Sequence, residues 1–254
     1  MGDEKRIPPN LRILTILEAL SRLDRPITAA DLLHEIDLPK PTLYRLCATL
    51  EAEGYLISDI GGRLRPARRA REIAVGLLSF SRLHIARRQI LSAVAEALGE
   101  TCNIAIPDDD GMVYLDRVDA PWPLRIQLPI GSKVPFHCTA GGKLFLSSFA
   151  DQALDRLLSS LDLTVEGPNC FSDRDALKQE ILAVREAEYS WDNEEFIGGM
   201  VAYAVPIRDR LGRFVASLAF HAPVQRVSFA AGREHIAVLR QGADKIERIL
   251  FEED

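Results

Sequence analysis

Residues 38–56 read Leu38-Pro39-Lys40-Pro41-Thr42-Leu43-Tyr44-Arg45-Leu46-Cys47-Ala48-Thr49-Leu50-Glu51-Ala52-Glu53-Gly54-Tyr55-Leu56. Proline is tolerated in the first helical turn, where its missing N–H would have no partner in any case, so a helix is predicted to start at Lys40-Pro41-Thr42 and to stop at Gly54. Within it Leu43, Leu46, Cys47 and Leu50 fall within about 100° of one another at 3.6 residues per turn and form a buried stripe. Pro41, Tyr44, Arg45 and Ala48 take the opposite face. A positive charge, an aromatic hydroxyl and small residues near a helix N-terminus suit a DNA major groove about 12 Å wide, with Arg45 placed to read guanine or grip phosphate.

The flanks supply the partners of such a helix. Upstream, Asn10 is a candidate N-cap for a helix whose apolar positions Leu11, Ile13, Leu14, Ile16, Leu17 and Leu20 follow helical spacing, ending near Asp24-Arg25-Pro26. Thr28 is a second N-cap, with Asp31 three residues on as a short capping-box acid. The helix it starts is about two turns long, and Asp37-Leu38-Pro39 breaks it, so helix, tight turn, helix results. Downstream, Tyr55-Leu56-Ile57-Ser58, Gly61-Gly62 and Arg63-Leu64-Arg65 predict two strands joined by a glycine turn. Residues 61–71 hold five arginines, Arg63, Arg65, Arg68, Arg69 and Arg71, and no acidic residue. Alone, such a run reads equally as a solvated face or a phosphate surface. Beside a strand ribbon it becomes the wing of a winged helix-turn-helix, aimed at phosphates or the minor groove. The competing reading is a small three-helix domain used for protein contacts.

At 254 residues the chain is long enough for two ordinary domains. Its 47% hydrophobic and 27% charged residues exclude disorder and collagen-like structure. Net charge is −6, but unevenly held: residues 1–83 carry +2 and residues 84–254 carry −8. Any nucleic-acid contact must therefore come from the first third. The longest uncharged stretches, 196–207 and 214–225, are far shorter than the roughly 20 residues of a membrane helix, and no apolar segment follows the first residues, so a cytoplasmic protein with no membrane partner is expected. Cys47, Cys102, Cys138 and Cys170 show no Cys-x-x-Cys pair, and free thiols are expected.

The rest of the chain predicts a linker helix, with Ala70, Ile73, Ala74, Leu77 and Leu78 on one stripe, and a helix over 84–99 closed by Gly99. Strands over 101–106 and 112–118 flank Asp108-Asp109-Asp110-Gly111, a strong hairpin signal. The aspartates read as a solvated turn, since they lack the wider ligand spacing of a calcium loop. Further strands are predicted over 124–128, 201–207 and 214–221, and helices over 141–148, 151–160, 173–187 and 228–251. Such mixing with adjacent hairpins implies an α+β domain around an antiparallel sheet.

These tracts carry a resemblance. Leu11-Arg12-Ile13-Leu14, Thr28-Ala29-Ala30-Asp31-Leu32, Pro39-Lys40-Pro41-Thr42-Leu43-Tyr44-Arg45-Leu46 and Leu50-Glu51-Ala52-Glu53-Gly54-Tyr55-Leu56 resemble the IclR family of bacterial transcriptional regulators. So do Val134-Pro135-Phe136-His137-Cys138-Thr139-Ala140-Gly141-Gly142-Lys143, Asp192-Asn193-Glu194-Glu195 through Gly199, Val205-Pro206, and Gly212-Arg213 to Pro223. Nearly the whole chain is covered. The family's Tyr-x-Leu-Gly element after the wing is here Arg63-Leu64-Arg65-Pro66-Ala67-Arg68-Arg69, a more basic segment.

The resemblance implies a two-domain α+β protein: a winged helix-turn-helix over 1–69, a linker helix over 70–83 and a GAF-like effector-binding domain over 84–254. It implies a ligand-responsive regulator that binds a near-palindromic double-stranded operator as a homo-oligomer, dimer or tetramer, and senses a small organic acid. DNA contacts are assigned to Thr28, Lys40, Pro41, Thr42, Tyr44, Arg45, Arg63 and Arg65. Carried from the family, the effector positions are Ala140, Gly141, Asp192, Met200, Ala202, Ala219 and His221. A family cysteine stands here as Ala202 and two serines as Ala219 and His221, which predicts a more apolar pocket and an acid with a larger, aromatic body, with Trp122, Arg125 and Phe136 at its entrance. His221 reads equally as a core histidine. No cofactor, metal or catalytic residue is assigned. Two alternatives stand beside this: an enzyme using Cys138 with His137 or Asp192 with Glu194, for which no third orienting group is apparent, and a zinc-stabilised sensor using Cys102, His137, Cys138 or Cys170.

Overall fold

A computed structural model describes residues 7–23, 26–80, 82–122 and 128–251, the side chains of 75–80 and 82–83 excepted. The chain divides into two compact units, residues 1–80 and 81–254.

In the first unit, α1 (Arg12–Arg22), β1 (Ile27–Thr28), α2 (Ala29–Glu35), α3 (Lys40–Ala52), β2 (Leu56–Ser58), β3 (Arg63–Pro66) and α4 (Arg68–Phe80) follow in order. One buried cluster joins them, with Ile16 and Leu20 from α1, Leu32 from α2, Leu43, Cys47 and Leu50 from α3, and Leu56 and Leu64 from the ribbon. The stripe read in α3 is thus its inner face, with Leu46 half-buried at the margin. Thr28 caps α2 as expected: its Oγ1 accepts from the Asp31 amide at 3.2 Å, and the Asp31 carboxylate accepts from the Thr28 amide at 3.1 Å. The first cap differs. Leu11, not Asn10, precedes α1, and it makes no side-chain cap; the Leu11 amide donates to Pro8 O at 3.0 Å, so a turn through Pro8 and Pro9 starts the helix. The sheet order is β1-β3-β2, with Ile27 opposite Leu64 and Ser58 also opposite Leu64. Strand β1 escapes a periodicity reading because it is two residues long and its second residue is the helix cap. The linker helix begins at Arg68 rather than 70 and ends at Phe80, and α5 (Arg82–Leu98) belongs to the second unit.

In the second unit β4 (Thr101–Pro107), β5 (Met112–Val118), β6 (Lys133–Val134), β7 (Ser190–Asn193), β8 (Met200–Arg208) and β9 (Phe214–Pro223) form an antiparallel sheet in the order β6-β5-β4-β9-β8-β7. Alternation along β8 and β9 sends Tyr203, Phe220 and Leu218 to one face and Ala202, Ala219 and His221 to the other. The first face is covered by α5 and α10 (Ile236–Phe251); a Cβ on Gly242 of α10 would meet Val94 Cγ2 at 2.6 Å and Leu218 Cδ2 at 3.0 Å. Arg87 of α5, 1% exposed, donates to Asp116 of β5 at 2.7 Å, a buried pair that ties helix to sheet. The second face meets α6 (Ala140–Ser147), with α7 (Asp151–Ser160) and α8 (Arg174–Ala187) beyond it.

One expectation needs correction, one falls on residues outside those described, and two strands are additional. The helix over 228–251 is α9 (Phe229–Gly232), a 3₁₀ turn at Arg233–His235 and then α10; the interruption follows Gly232, which packs so close to the Tyr203 ring that a Cβ there would be 2.3 Å from Cε2. The strand expected over 124–128 falls on residues outside those described, apart from Leu128, which is irregular. Strands β6 and β7 were not expected: one is two residues long, and Ser190-Trp191-Asp192-Asn193 has the polar composition of a loop.

Candidate nucleic-acid interface and ligand cavity

The outer face of α3 is as the spacing required. Lys40, Pro41, Tyr44, Arg45 and Ala48 are exposed, and Thr42 is half-buried. Lys40 Nζ lies 5.7 Å from the Tyr44 ring centroid, so a cation and an aromatic face stand together at the helix N-terminus. Thr28 sits half-buried in its capping box. The wing turn is held by Asp59, whose carboxylate accepts from the Gly61 and Arg63 amides and from Arg63 Nε at 3.0 Å. These bonds hold the Asp59 carboxyl below its ordinary range. At the tip, Ile60 is fully exposed, an apolar residue that sequence reading passed over because only the arginines signalled DNA.

The arginine run proves to be divided in its roles. Arg69 donates to Glu53 O at 2.7 Å and lies 4.4 Å from the Tyr55 ring centroid, so it braces the root of the wing against the end of α3. Arg71 donates to Pro66 O at 3.1 Å, and Arg68 pairs with Glu72 at 3.3 Å. Arg63 and Arg65 alternate with buried Leu64 on β3 and point outward.

In the second unit, the first turn of α6 closes over the sheet. Thr139 is its N-cap; Oγ1 accepts from the Gly142 amide at 3.1 Å and donates to Pro135 O at 2.6 Å. The Ala140 and Gly141 amides are first-turn N–H groups that no helical carbonyl can reach. Glycine lets this turn come close: a Cβ on Gly141 would be 2.6 Å from Ser217 Oγ, and one on Gly142 would be 2.3 Å from Phe136 O. Between helix and sheet lies a cavity of about 30 Å³. All seven effector positions assigned from the sequence line it, joined by Asn103, Tyr114, Thr139 and Phe196 among others. The register explains the assembly, since Asp192, Ala202 and His221 are successive cross-strand partners, as are Ala219 and Asn103. Asn103 and Tyr114 carried no sequence signal because they are isolated polar residues on strands; Thr139 could have been found as the cap before Ala140.

The polar groups of the cavity are distinctive. Asn103 Nδ2 lies 3.3 Å from His221 Nδ1, and since an amide nitrogen only donates, Nδ1 is the acceptor of that bond and Nε2 the ring nitrogen that can donate. Asp192 is 1% exposed and accepts from the Glu195 and Phe196 amides. Burial, and then the charge of Glu195, push its carboxyl up to about 7. Burial likewise pushes the Tyr114 phenol up to about 12, so it remains a hydroxyl donor. Behind the cavity, wholly buried Lys143 bonds Glu195 at 2.6 Å and Glu180 at 2.9 Å, so its charge is spent on the scaffold. Two expected neighbours are elsewhere. Phe136 is buried against Phe145, ring centroids 5.0 Å apart, and Trp122 donates to Gly99 O at 2.8 Å and is half-exposed beside Arg226; Arg125 lies outside the described residues.

Of the candidate metal ligands, Cys102 points to Glu100 O, whereas His137, Cys138 and Cys170 bring one ligand atom each within 4.8 Å of one another. Asp108 and Asp110 both bind Lys133, which accounts for the charged hairpin turn. Burial pushes the Cys138 thiol far up, the opposite of what a nucleophile needs, and Glu194 is occupied by the Gly199 amide at 2.8 Å. No helix among the described residues is long and apolar enough to cross a membrane.

Comparison with known proteins bears on both units. The family model for the IclR helix-turn-helix domain matches residues 11–59, and that for the C-terminal domain of the bacterial transcriptional regulator IclR matches residues 77–248. The transcriptional regulator named SauR from Cupriavidus necator is 35% identical over 95% of this chain and 96% of its own length. The crystal structure of a transcriptional regulator from Rhodococcus sp. RHA1 is 27% identical, with a TM-score of 0.65 over 94% of this chain and 97% of that one. An IclR homologue from Microbacterium hydrocarbonoxydans, solved in complex with 4-hydroxybenzoate, shares the fold at 24% identity and a TM-score of 0.62, over 95% of this chain and 98% of that one. Matched over residues 11–59 and 77–248, this chain belongs to the IclR family of bacterial transcriptional regulators, with an N-terminal helix-turn-helix domain and a C-terminal effector-binding domain.

Proposed function

We propose that the protein binds a near-palindromic operator as a homo-oligomer and that a small organic acid, seated in the cavity at the start of α6, controls that binding. The observation that carries the reading is the convergence of Ala140, Gly141, Asp192, Met200, Ala202, Ala219 and His221 on one buried cavity. The Ala140 and Gly141 amides and the positive end of the α6 dipole favour a carboxylate. His221 Nε2 and the Tyr114 hydroxyl are the further donors, and Asp192, which titrates near neutrality, donates to an anion in its protonated form or accepts from a ligand hydroxyl. Alanines 202 and 219 give the floor its apolar character.

Size refines the expectation of an aromatic acid. A cavity of about 30 Å³ holds roughly two waters. A compact acid therefore needs less opening of the cavity than a benzoate. The bound 4-hydroxybenzoate of the Microbacterium homologue keeps the larger class in the test. On the DNA side, α3 enters the major groove through Lys40, Pro41, Thr42, Tyr44 and Arg45, with Thr28 at the neighbouring helix start and Arg63 and Arg65 on the flanking backbone. Ligand control then requires that the acid bind the DNA-competent and incompetent states with different affinity.

Calorimetric titration with glyoxylate, pyruvate, benzoate and 4-hydroxybenzoate, alone and with His221→Ala, tests the cavity. Binding of at least one acid that weakens about tenfold in His221→Ala supports the reading. Binding indifferent to His221→Ala and to Asp192→Asn would place the effector elsewhere. Footprinting on the DNA flanking the gene, repeated with each acid that binds, tests operator symmetry and the coupling.

A further inference from the structure

His137 and Cys138 sit on the loop before α6, and Cys170 on the loop between α7 and α8, 32 residues further along. The fold brings an imidazole nitrogen and two thiol sulfurs within 4.8 Å of one another. At tetrahedral zinc, with bonds of about 2.3 Å to sulfur and 2.0–2.1 Å to nitrogen, the same atoms stand about 3.5–3.8 Å apart. A contraction of about 1 Å closes the difference. No disulfide joins the cysteines.

The surroundings have the form of a ligand sphere with its supports. His137 Nε2 is 3.0 Å from Thr164 O; a carbonyl only accepts, so Nε2 is the donor of that bond, which leaves Nδ1 as the ring nitrogen on offer to a cation. Cys170 Sγ also reaches Thr164 O, at 3.8 Å, so one carbonyl already gathers two of the three residues. His137 and Cys138 are buried, whereas Cys170 is half-exposed, which provides an entry path and an outward-facing fourth position. Glu166, exposed on the same loop as Cys170, acts on Cys138 electrostatically, more weakly than buried Asp192 does, and is an exposed carboxylate that could swing to that position.

We propose that His137, Cys138 and Cys170 form a binding site for one zinc-like divalent cation, with the fourth position taken by Glu166 or water. On binding, each thiol releases its proton to solvent as a metal–sulfur bond forms, and the neutral imidazole donates its lone pair. The cation braces the back of the ligand cavity. Cys138 lies two residues before Ala140, while the Cys170 loop is docked on the strand that carries Asp192: Gly167 N donates to Glu195 O at 2.8 Å and Asn169 Nδ2 to Asn193 O at 2.8 Å. Ligation thus ties the α6 cradle to the Asp192 wall. The site is separate from the proposed acid site, so its test reads the metal itself and stands whether or not any acid binds.

Full-length protein, reduced and stripped of metal, is titrated with Co²⁺ and then Zn²⁺. One equivalent of Co²⁺ per chain, with thiolate-to-cobalt charge-transfer absorption that Zn²⁺ abolishes, is expected. Cys170→Ser, at a half-exposed position where folding should be unaffected, should lower the affinity by about 100-fold or more, beyond what loss of a supporting partner alone costs. Cys102→Ser serves as the control that leaves the spectrum unchanged. Mass spectrometry after alkylation gives a readout on the unaltered chain, since Zn²⁺ should protect Cys170. Absence of the charge-transfer band in reduced wild type, its survival in Cys170→Ser, or alkylation of Cys170 indifferent to Zn²⁺ would each overturn the site.

Discussion

The outer face of α3 and the cavity under α6 are built in opposite ways. The first is contiguous: Lys40, Pro41, Tyr44 and Arg45 are neighbours within the first two turns on the exposed face of α3, and none of them is part of the buried core beneath. The cavity is assembled from all six strands, β4 to β9, and the start of α6, and its walls are largely core residues. Substitution on the first surface should change affinity with little effect on stability, whereas substitution around the cavity should change both. The arginine run shows where this division blurs, because Arg69 lies in a basic segment yet acts as a brace between wing and helix.

The largest expected effect lies behind the cavity. Lys143→Met leaves Glu180 and Glu195 without the cation that offsets their burial, at a cost of about 3–5 kcal/mol. Chemical denaturation should show that loss; an unchanged midpoint would mean that the buried triad is dispensable and the contrast overdrawn. Next is the DNA face. Arg45→Ala should lower operator affinity by about 1–3 kcal/mol if it makes a bidentate base contact, with thermal stability within about 0.5 kcal/mol of wild type. Arg65→Ala should instead weaken binding to all sequences alike and reduce the salt slope by about one, as loss of a phosphate contact does, and DNA titrations at several salt concentrations separate the two.

A smaller effect has a defined pH window. The Asp192 carboxyl is raised in the folded protein to about 7, so its protonated form stabilises the fold at low pH and that contribution is lost as pH rises through about 7. Between pH 6 and 8 the protein should lose about 1 kcal/mol of stability, and Asp192→Asn should flatten the profile. Glu195, Lys143, Tyr114 and His221 surround the same group, so the slope is to be compared between variant and wild type and not read from wild type alone. Of similar size, Thr28→Ala should cost about 1 kcal/mol by removing the capping box of α2. If it weakened DNA binding far more than it destabilised the fold, Thr28 would also touch the operator directly.

The first unit was legible almost to the residue because its signals are local. Pro41, the Leu43–Cys47–Leu50 stripe, the Thr28–Asp31 box and Gly54 each act within a turn or two of chain, and each stands in the structure where the spacing placed it. The misread start of α1 has the same origin: a turn through Pro8 and Pro9 does the work expected of an Asn10 side chain. In the second unit the hairpin and most helices were legible, but β6 and β7 were not, because a two-residue strand and a polar edge strand have no periodicity of their own. The cavity positions came from family resemblance, not from any pattern in the residues.

What the sequence by itself determined is the local code: where helices begin and end, which faces are apolar, where positive charge concentrates, and which family the motifs belong to. Only the tertiary structure decided which arginines remain outward and which brace the wing, that the cavity is small, and that Cys138 and Cys170, far apart in the chain, come within 4.8 Å of a His137 nitrogen while Cys102 turns to Glu100 O. The reason is physical. Helix caps and amphipathic stripes are satisfied within a few residues, whereas a cavity or a ligand cluster is fixed by strand register and loop docking, which couple residues that no sequence window contains together.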